Sequence, residues 1–181
     1  MERSPNGGHK QVDANYFELF GLSPAFAIDM PRLDDAYRKL QRHVHPDKHV
    51  VGSSTEQRYA AQRAALANEA YEALRRPLPR ARHLVQLHNV DPDAGALPSS
   101  FLFQQMEFRE AVQQARRSRD HSALSNLRIT IQRDLESLLG KLAQQIDSEG
   151  DFENAARSTQ MLQFSLKLAA DTNDALEELE G

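Results

Sequence analysis

Apolar positions recur at intervals of three and four through most of this chain, the mark of helices that each bury one stripe. Leu33, Ala36, Tyr37, Leu40 and Val44 form one such stripe. Arg38, Lys39 and Arg42 project from the rest of the same helix and make its outer surface positive. Asp29 offers a side-chain cap at its start, and Pro31 falls in its first turn. Pro46 lacks an N–H and disfavours helical geometry at His45, so the helix stops there. A further helix follows. Ser53 and Glu56 have capping-box spacing, and Ala60, Ala64, Ala67, Ala70, Tyr71 and Leu74 supply its buried stripe. Two antiparallel helices thus present His45-Pro46-Asp47, followed by Lys48, at an exposed joint.

The pattern breaks at Arg75-Arg76-Pro77-Leu78-Pro79. Arg80 to Leu87 predicts a short connecting helix, and Asn89 to Pro98, with Pro92, Gly95 and Pro98, reads as a linker. Three helical segments follow, at about 99–118, 121–147 and 151–179. In the second, Leu124, Leu127, Ile131, Leu135, Leu138, Leu142 and Ile146 form a long seam. Short connections make antiparallel neighbours, so a three-helix bundle is the economical architecture. The chain therefore reads as all-α, with a flexible polar tail at 1–14 and a helical hairpin unit at 15–76. A connecting segment at 77–98 joins that unit to a bundle at 99–181.

Two bundle helices carry more apolar residues than one stripe needs. At about 100° per residue, Phe101, Phe108, Val112 and Ala115 share a core face, while Leu102, Phe103 and Met106 point the other way. In the last helix Phe152, Ala155, Ala156, Leu162 and Leu166 share a face, with Met161, Phe164 and Leu168 off it. The surplus is either a binding patch or a second buried face against the first unit. Periodicity alone does not separate the two.

Composition narrows the classes. The chain has 181 residues, 40% hydrophobic and 27% charged, ordinary for one or two small soluble domains. There is no run of about 18 apolar residues, so no membrane span is expected. Zero cysteines exclude disulfides and thiolate metal ligation and are compatible with a reducing cytoplasm. The opening residues have neither an apolar core nor an arginine-rich amphipathic pattern, so no targeting signal is expected. A net charge of −4 hides an asymmetry. From Arg75 to His83 there are four arginines, Arg75, Arg76, Arg80 and Arg82, and no acidic residue, whereas 144–181 holds nine acidic and two basic residues. This balance speaks against an extended nucleic-acid surface.

The joint carries the first specific resemblance. With the basic helix before it, the apolar helix after it and Tyr16-Phe17-Glu18-Leu19-Phe20-Gly21-Leu22 upstream, His45-Pro46-Asp47 resembles the J-domain, which activates ATPase chaperones of the DnaK class. A plain helical hairpin would not require His and Asp to flank the proline. Further strings resemble HscB-type co-chaperones of iron–sulfur cluster assembly. They are 76–85, the stretch Phe101-Leu102-Phe103-Gln104-Gln105-Met106-Glu107-Phe108-Arg109-Glu110, and 162–168. The resemblance implies that residues 15–76 are a J-domain engaging an HscA-type chaperone through His45, Pro46, Asp47, Lys48, Arg38, Lys39 and Arg42. It also implies that the bundle holds an IscU-type scaffold through Leu102, Phe103, Met106 and Phe164. Neither role needs a cofactor, a membrane or nucleic acid. Two positions depart from the family pattern: His49 stands where an aromatic is usual, and Phe103 where an aliphatic residue or Met is frequent. The cysteine-rich zinc segment of some eukaryotic relatives is absent, which points to a bacterial cytoplasmic protein.

Other classes fit poorly. His43, His45 and His49 do not align on one helix, because Pro46 intervenes, so a metal enzyme is not expected. No nucleophile–base pair or glycine-rich phosphate loop stands out. A helix-turn-helix DNA binder would contend with the acidic C-terminal third. The remaining alternative is a J-domain co-chaperone with a different client.

Overall fold

A computed structural model of the protein describes residues 15–44 and 54–180, and the regular elements among them are all helical. Helix α1 (Tyr16–Leu19) is opened by Asn15, whose side chain accepts the Phe17 N–H at 3.0 Å. Helix α2 (Met30–Val44) begins as expected: Asp29 Oδ1 accepts the Arg32 N–H at 3.1 Å, with Pro31 in the first turn. Helix α3 (Ser54–Arg75) runs back beside it. Leu33, Ala67, Ala70 and Leu74 are buried within this hairpin. Tyr37 stacks on Tyr71 with ring centres 4.1 Å apart. Their hydroxyls donate to Asn68 and Asp34, each at 2.9 Å, so the two rings pack and their polar tips are satisfied. Phe17 of α1 is fully buried, and the Tyr16 hydroxyl donates to Glu69 at 2.7 Å.

The bundle follows as α5 (Ser99–Arg117), α6 (His121–Ala143) and α7 (Phe152–Glu180). The seam of α6 is buried at Leu124, Ile131, Leu135, Leu138 and Leu142, with Leu127 half-buried. Beyond Ala143 the coil widens into a π-turn, Gln144–Glu149, closed by Gly150 in the left-handed conformation at φ 64°. The 3.6-residue pattern alone predicts ordinary helix to about residue 147.

Two expectations are corrected here. The connecting helix expected from Arg80 begins already at Pro77, and the stretch Asn89–Pro98 expected as a linker packs on the bundle. Helix α4 spans Pro77–Leu87, starting with proline at its first position, and packs along α7. Ala155, Ala156, Ser158 and Thr159 of α7 are buried, and their small side chains let helices approach closely. The stretch after α4 is also tied down. Arg82 reaches Asp93 at 2.8 and 2.5 Å, Gln160 Nε2 donates to the Ala94 carbonyl at 2.7 Å, and Pro92 is buried. As a result one continuous apolar core runs from Phe17 and Leu33 through Leu84 and Val85 to Leu142 and Leu176.

The second correction concerns α7. Leu168 is 1% exposed and Leu166 is 39% exposed, the reverse of the single-stripe reading. Met161 is half-buried against the core. The cause is a change of neighbours along a 29-residue helix: α4 covers part of it as well as α5 and α6, so its buried face is not one straight stripe. Phe108 of α5 is likewise only half-buried, while Phe101, Val112 and Ala115 face the core as expected.

The hairpin and the bundle meet at a polar joint. The Asp147 carboxylate, carried by the π-turn, accepts the Phe26 N–H at 2.6 Å and the Ala27 N–H at 2.8 Å. The buried Arg80 of α4 lies over the Phe26 ring at 5.1 Å and donates to the Leu74 carbonyl at 2.7 Å. One turn further along α4, buried His83 accepts the Tyr16 N–H at 3.1 Å and stacks on the Tyr16 ring at 4.3 Å. Burial holds the His83 pKa down at about 4, so the ring is a neutral acceptor at ordinary pH.

Candidate functional site

The apolar surplus of α5 faces solvent. Pro98 stands at the helix start and Ser99 and Ser100 open the first turn, after which Phe101 turns inward. Leu102 is then 40% exposed, and Phe103 and Met106 are each 66% exposed. Phe164 contributes a further 38% exposed ring from α7, the helix against which α5 packs. Of the apolar surplus, Met161 is half-buried and Leu168 buried, whereas these four side chains are not buried against the hairpin. Such residues on adjoining helices are a candidate docking surface for an apolar partner.

The helices beneath this surface are fixed. Phe101, Gln105, Val112 and Ala115 of α5 are buried. Gln104 Nε2 donates to Asp134 of α6 at 3.2 Å, and Arg116 pairs with Glu178 of α7 at the other end. Burying Phe103 or Met106 against a partner therefore removes apolar area from water without first requiring the helix to form.

The second candidate surface is the outer face of α2. Arg38, Lys39 and Arg42 are exposed there. Arg38 pairs with Asp35 at 2.5 Å, and Arg42 Nε donates to the Arg38 carbonyl at 3.3 Å. The hydrogen bond from Arg38, and then its charge, hold the Asp35 carboxyl below the usual range and raise the Arg38 guanidinium correspondingly. Both partners are solvent-exposed, so the pair contributes little to stability. His45, Pro46, Asp47 and Lys48 lie outside the described residues, as do His49 and the capping position Ser53.

Comparison with known proteins gives these surfaces a context. The chain is 39% identical over 174 residues to the co-chaperone protein HscB homologue of Cupriavidus taiwanensis, covering 94% of this chain and 98% of that one. It belongs to the HscB co-chaperone family. A Burkholderia mallei HscB homologue is 38% identical over 169 residues, covering 92% and 96% of the two chains. A sequence model described as the HSCB C-terminal oligomerisation domain matches residues 97–179. Chaperone HscB from Vibrio cholerae superposes with a TM-score of 0.82 at 31% identity, covering 92% of this chain and 99% of that one. Human co-chaperone protein HscB has the same fold, with a TM-score of 0.81 at 22% identity over 95% and 91% of the two chains.

As an HscB-family protein the chain is a J-domain co-chaperone, and the relatives named are co-chaperones rather than enzymes. The family implies an Hsp70-type chaperone and a scaffold as partners in general terms. Among the described residues no helix is long and apolar enough to cross a membrane, and no group of three His, Asp or Glu side chains is placed to hold a metal ion.

Sequence reasoning missed the joint. Arg80 read as one member of a basic run, although Ala81, Leu84 and Val85 around it carry the helical stripe of a buried element. Asp147 gave no signal. Its partners are backbone N–H groups some 120 positions earlier, which no side-chain pattern records.

Proposed function

We propose that this protein stimulates ATP hydrolysis by an HscA-type chaperone and delivers to it an IscU-type iron–sulfur scaffold, so assisting cluster assembly and transfer. The observation that carries the reading is the exposure of Leu102, Phe103, Met106 and Phe164 on firmly packed helices of an HscB-family chain. In this reading residues 15–76 act as the J-domain, with His45, Pro46, Asp47 and Lys48 meeting the chaperone and Arg38, Lys39 and Arg42 steering toward its acidic surface. Residues 99–181 hold the scaffold on the apolar surface. The mechanism is coupling: one surface biases the chaperone toward hydrolysis and tight grip, and the other presents the client to be gripped. The chain itself needs neither ATP nor a metal and acts without a catalytic residue of its own, in the bacterial cytoplasm.

The test is steady-state ATP turnover by an HscA-type chaperone, with this protein and an IscU-type scaffold added separately and together. Stimulation by the protein alone, and more than additive stimulation with the scaffold, is expected. Stimulation by the protein that the scaffold never increases overturns the client assignment and favours a co-chaperone with another client.

A further inference from the structure

We infer that Asp147, held out by the π-turn between α6 and α7, is a positioning residue. Its carboxylate latches the J-domain to the bundle in one orientation, and that fixed orientation is what lets a client on the α5–α7 surface raise chaperone activation. The inference rests on the function proposed above.

Several observations converge on this latch. Both Asp147 oxygens are used, one on the Phe26 N–H at 2.6 Å and the other on the Ala27 N–H at 2.8 Å. Bonds from two adjacent backbone amides to one carboxylate are charge-assisted and directional, so they restrict rotation as well as separation. The amides belong to the segment joining α1 to α2, directly before the helix that leads to His45-Pro46-Asp47. Its position next to Phe26 is fixed again from above: Arg80 covers the Phe26 ring and ties itself to the carbonyl of Leu74 at the end of α3. The Asp147 charge also favours the charged form of Arg80, against the burial that lowers its pKa. Carboxylate, loop and guanidinium therefore form one cluster spanning α3, α4, the loop before α2 and the π-turn.

The π-turn itself supports this assignment. Ordinary helix through 144–149 would continue the straight 3.6-residue winding of α6. The wider coil changes the angular phase of every later side chain, Asp147 included. A π-turn forfeits good hydrogen-bond geometry and is retained where it serves a placement. Here the placement is a contact with the other half of the molecule.

The consequence is a separation of effects. Asp147 lies on neither candidate docking surface, so its loss leaves each single-partner interaction in place. The cost falls on the ternary event. A chaperone engaged by the hairpin meets the client at one effective concentration while the two halves are aligned, and at a lower one once they sample several orientations.

The experiment uses the full-length chain with Asp147→Ala and with the near-isosteric Asp147→Asn, which removes the charge and one acceptor. The chain has no cysteine, so Ala65→Cys on α3 and Ser137→Cys on α6, both exposed, give two clean spin-label positions. Electron–electron double resonance should show one narrow distance distribution for the parent and a broadened one for both Asp147 variants, with unchanged helical circular dichroism. Scaffold affinity and scaffold-free stimulation of the chaperone should match the parent, while the scaffold-dependent gain falls by about fivefold or more. A distribution as narrow as the parent's overturns the latch. A broadened distribution with the full scaffold-dependent gain overturns its role in coupling. If the parent itself shows no scaffold-dependent gain, the proposed function fails, and the distance distribution still decides whether Asp147 sets the orientation.

Discussion

Phe103→Ala separates surface function from folding, and the structure sets the size of both effects. The ring is 66% exposed. A phenylalanine offers roughly 200 Å² of largely apolar surface, so roughly 130 Å² remains for a partner to cover. At about 25 cal/mol per Å² this amounts to about 3 kcal/mol, reduced to about 2 kcal/mol by ordering of the side chain on binding. Scaffold affinity should therefore fall about 30-fold, read by isothermal titration. Stability should change far less. The minor part of the ring that touches the protein is lost, but alanine is the better helix former by about half a kcal/mol, leaving a net cost of about 1 kcal/mol or less. Leu135→Ala is the contrast. At 5% exposure in the α6 seam it should cost about 2–5 kcal/mol of stability through lost transfer and cavity terms. A Phe103→Ala protein that melts as early as Leu135→Ala, or one that binds scaffold within twofold of the parent, would refute the reasoning.

Other outcomes follow from the same arrangement. Asp47→Asn and His45→Gln should each abolish chaperone stimulation while shifting stability within about 0.5 kcal/mol, the size expected for the exposed turn that the sequence predicts; a well-folded variant that still stimulates would remove the J-domain mechanism. Charge reversal with Arg38→Glu and Arg42→Glu should slow chaperone association without altering scaffold binding, and the parent interaction should weaken as salt rises; a salt-independent association rate speaks against steering by α2. His83 is neutral in the fold with its pKa lowered to about 4, whereas an unfolded histidine takes up a proton near 6.5, so protons favour unfolding in that window. Stability should therefore fall as pH drops from about 6.5 to 4. His83→Gln, which retains an acceptor for the Tyr16 N–H but cannot be protonated there, should flatten that part of the profile; an unchanged profile in urea melts at several pH values would locate the acid sensitivity elsewhere.

Much of the molecule was legible locally. The start of α2, the stripe of α3 and the seam of α6 follow from a cap and from the 3.6-residue period, because the forces that select them act within a few residues. The outward direction of Leu102, Phe103 and Met106 follows from the same geometry, although Phe108, on the expected core face, is only half-buried. Tertiary structure decided what depends on neighbours. Leu166 is exposed and Leu168 buried, the reverse of a single straight stripe, because α7 packs against α4, α5 and α6 along its length and its buried face shifts with them. The stretch from Asn89 to Pro98 has linker composition yet is held by Arg82, Gln160 and the burial of Pro92, contacts made across as many as 66 positions. The joint is the extreme case. Arg80 and Asp147 look like surface charges in the sequence, and their roles arise because a ring, a carbonyl and two amides from distant segments are brought against them. Periodicity reports which face of a helix avoids water; only the folded chain decides what that face, and each charge beside it, meets.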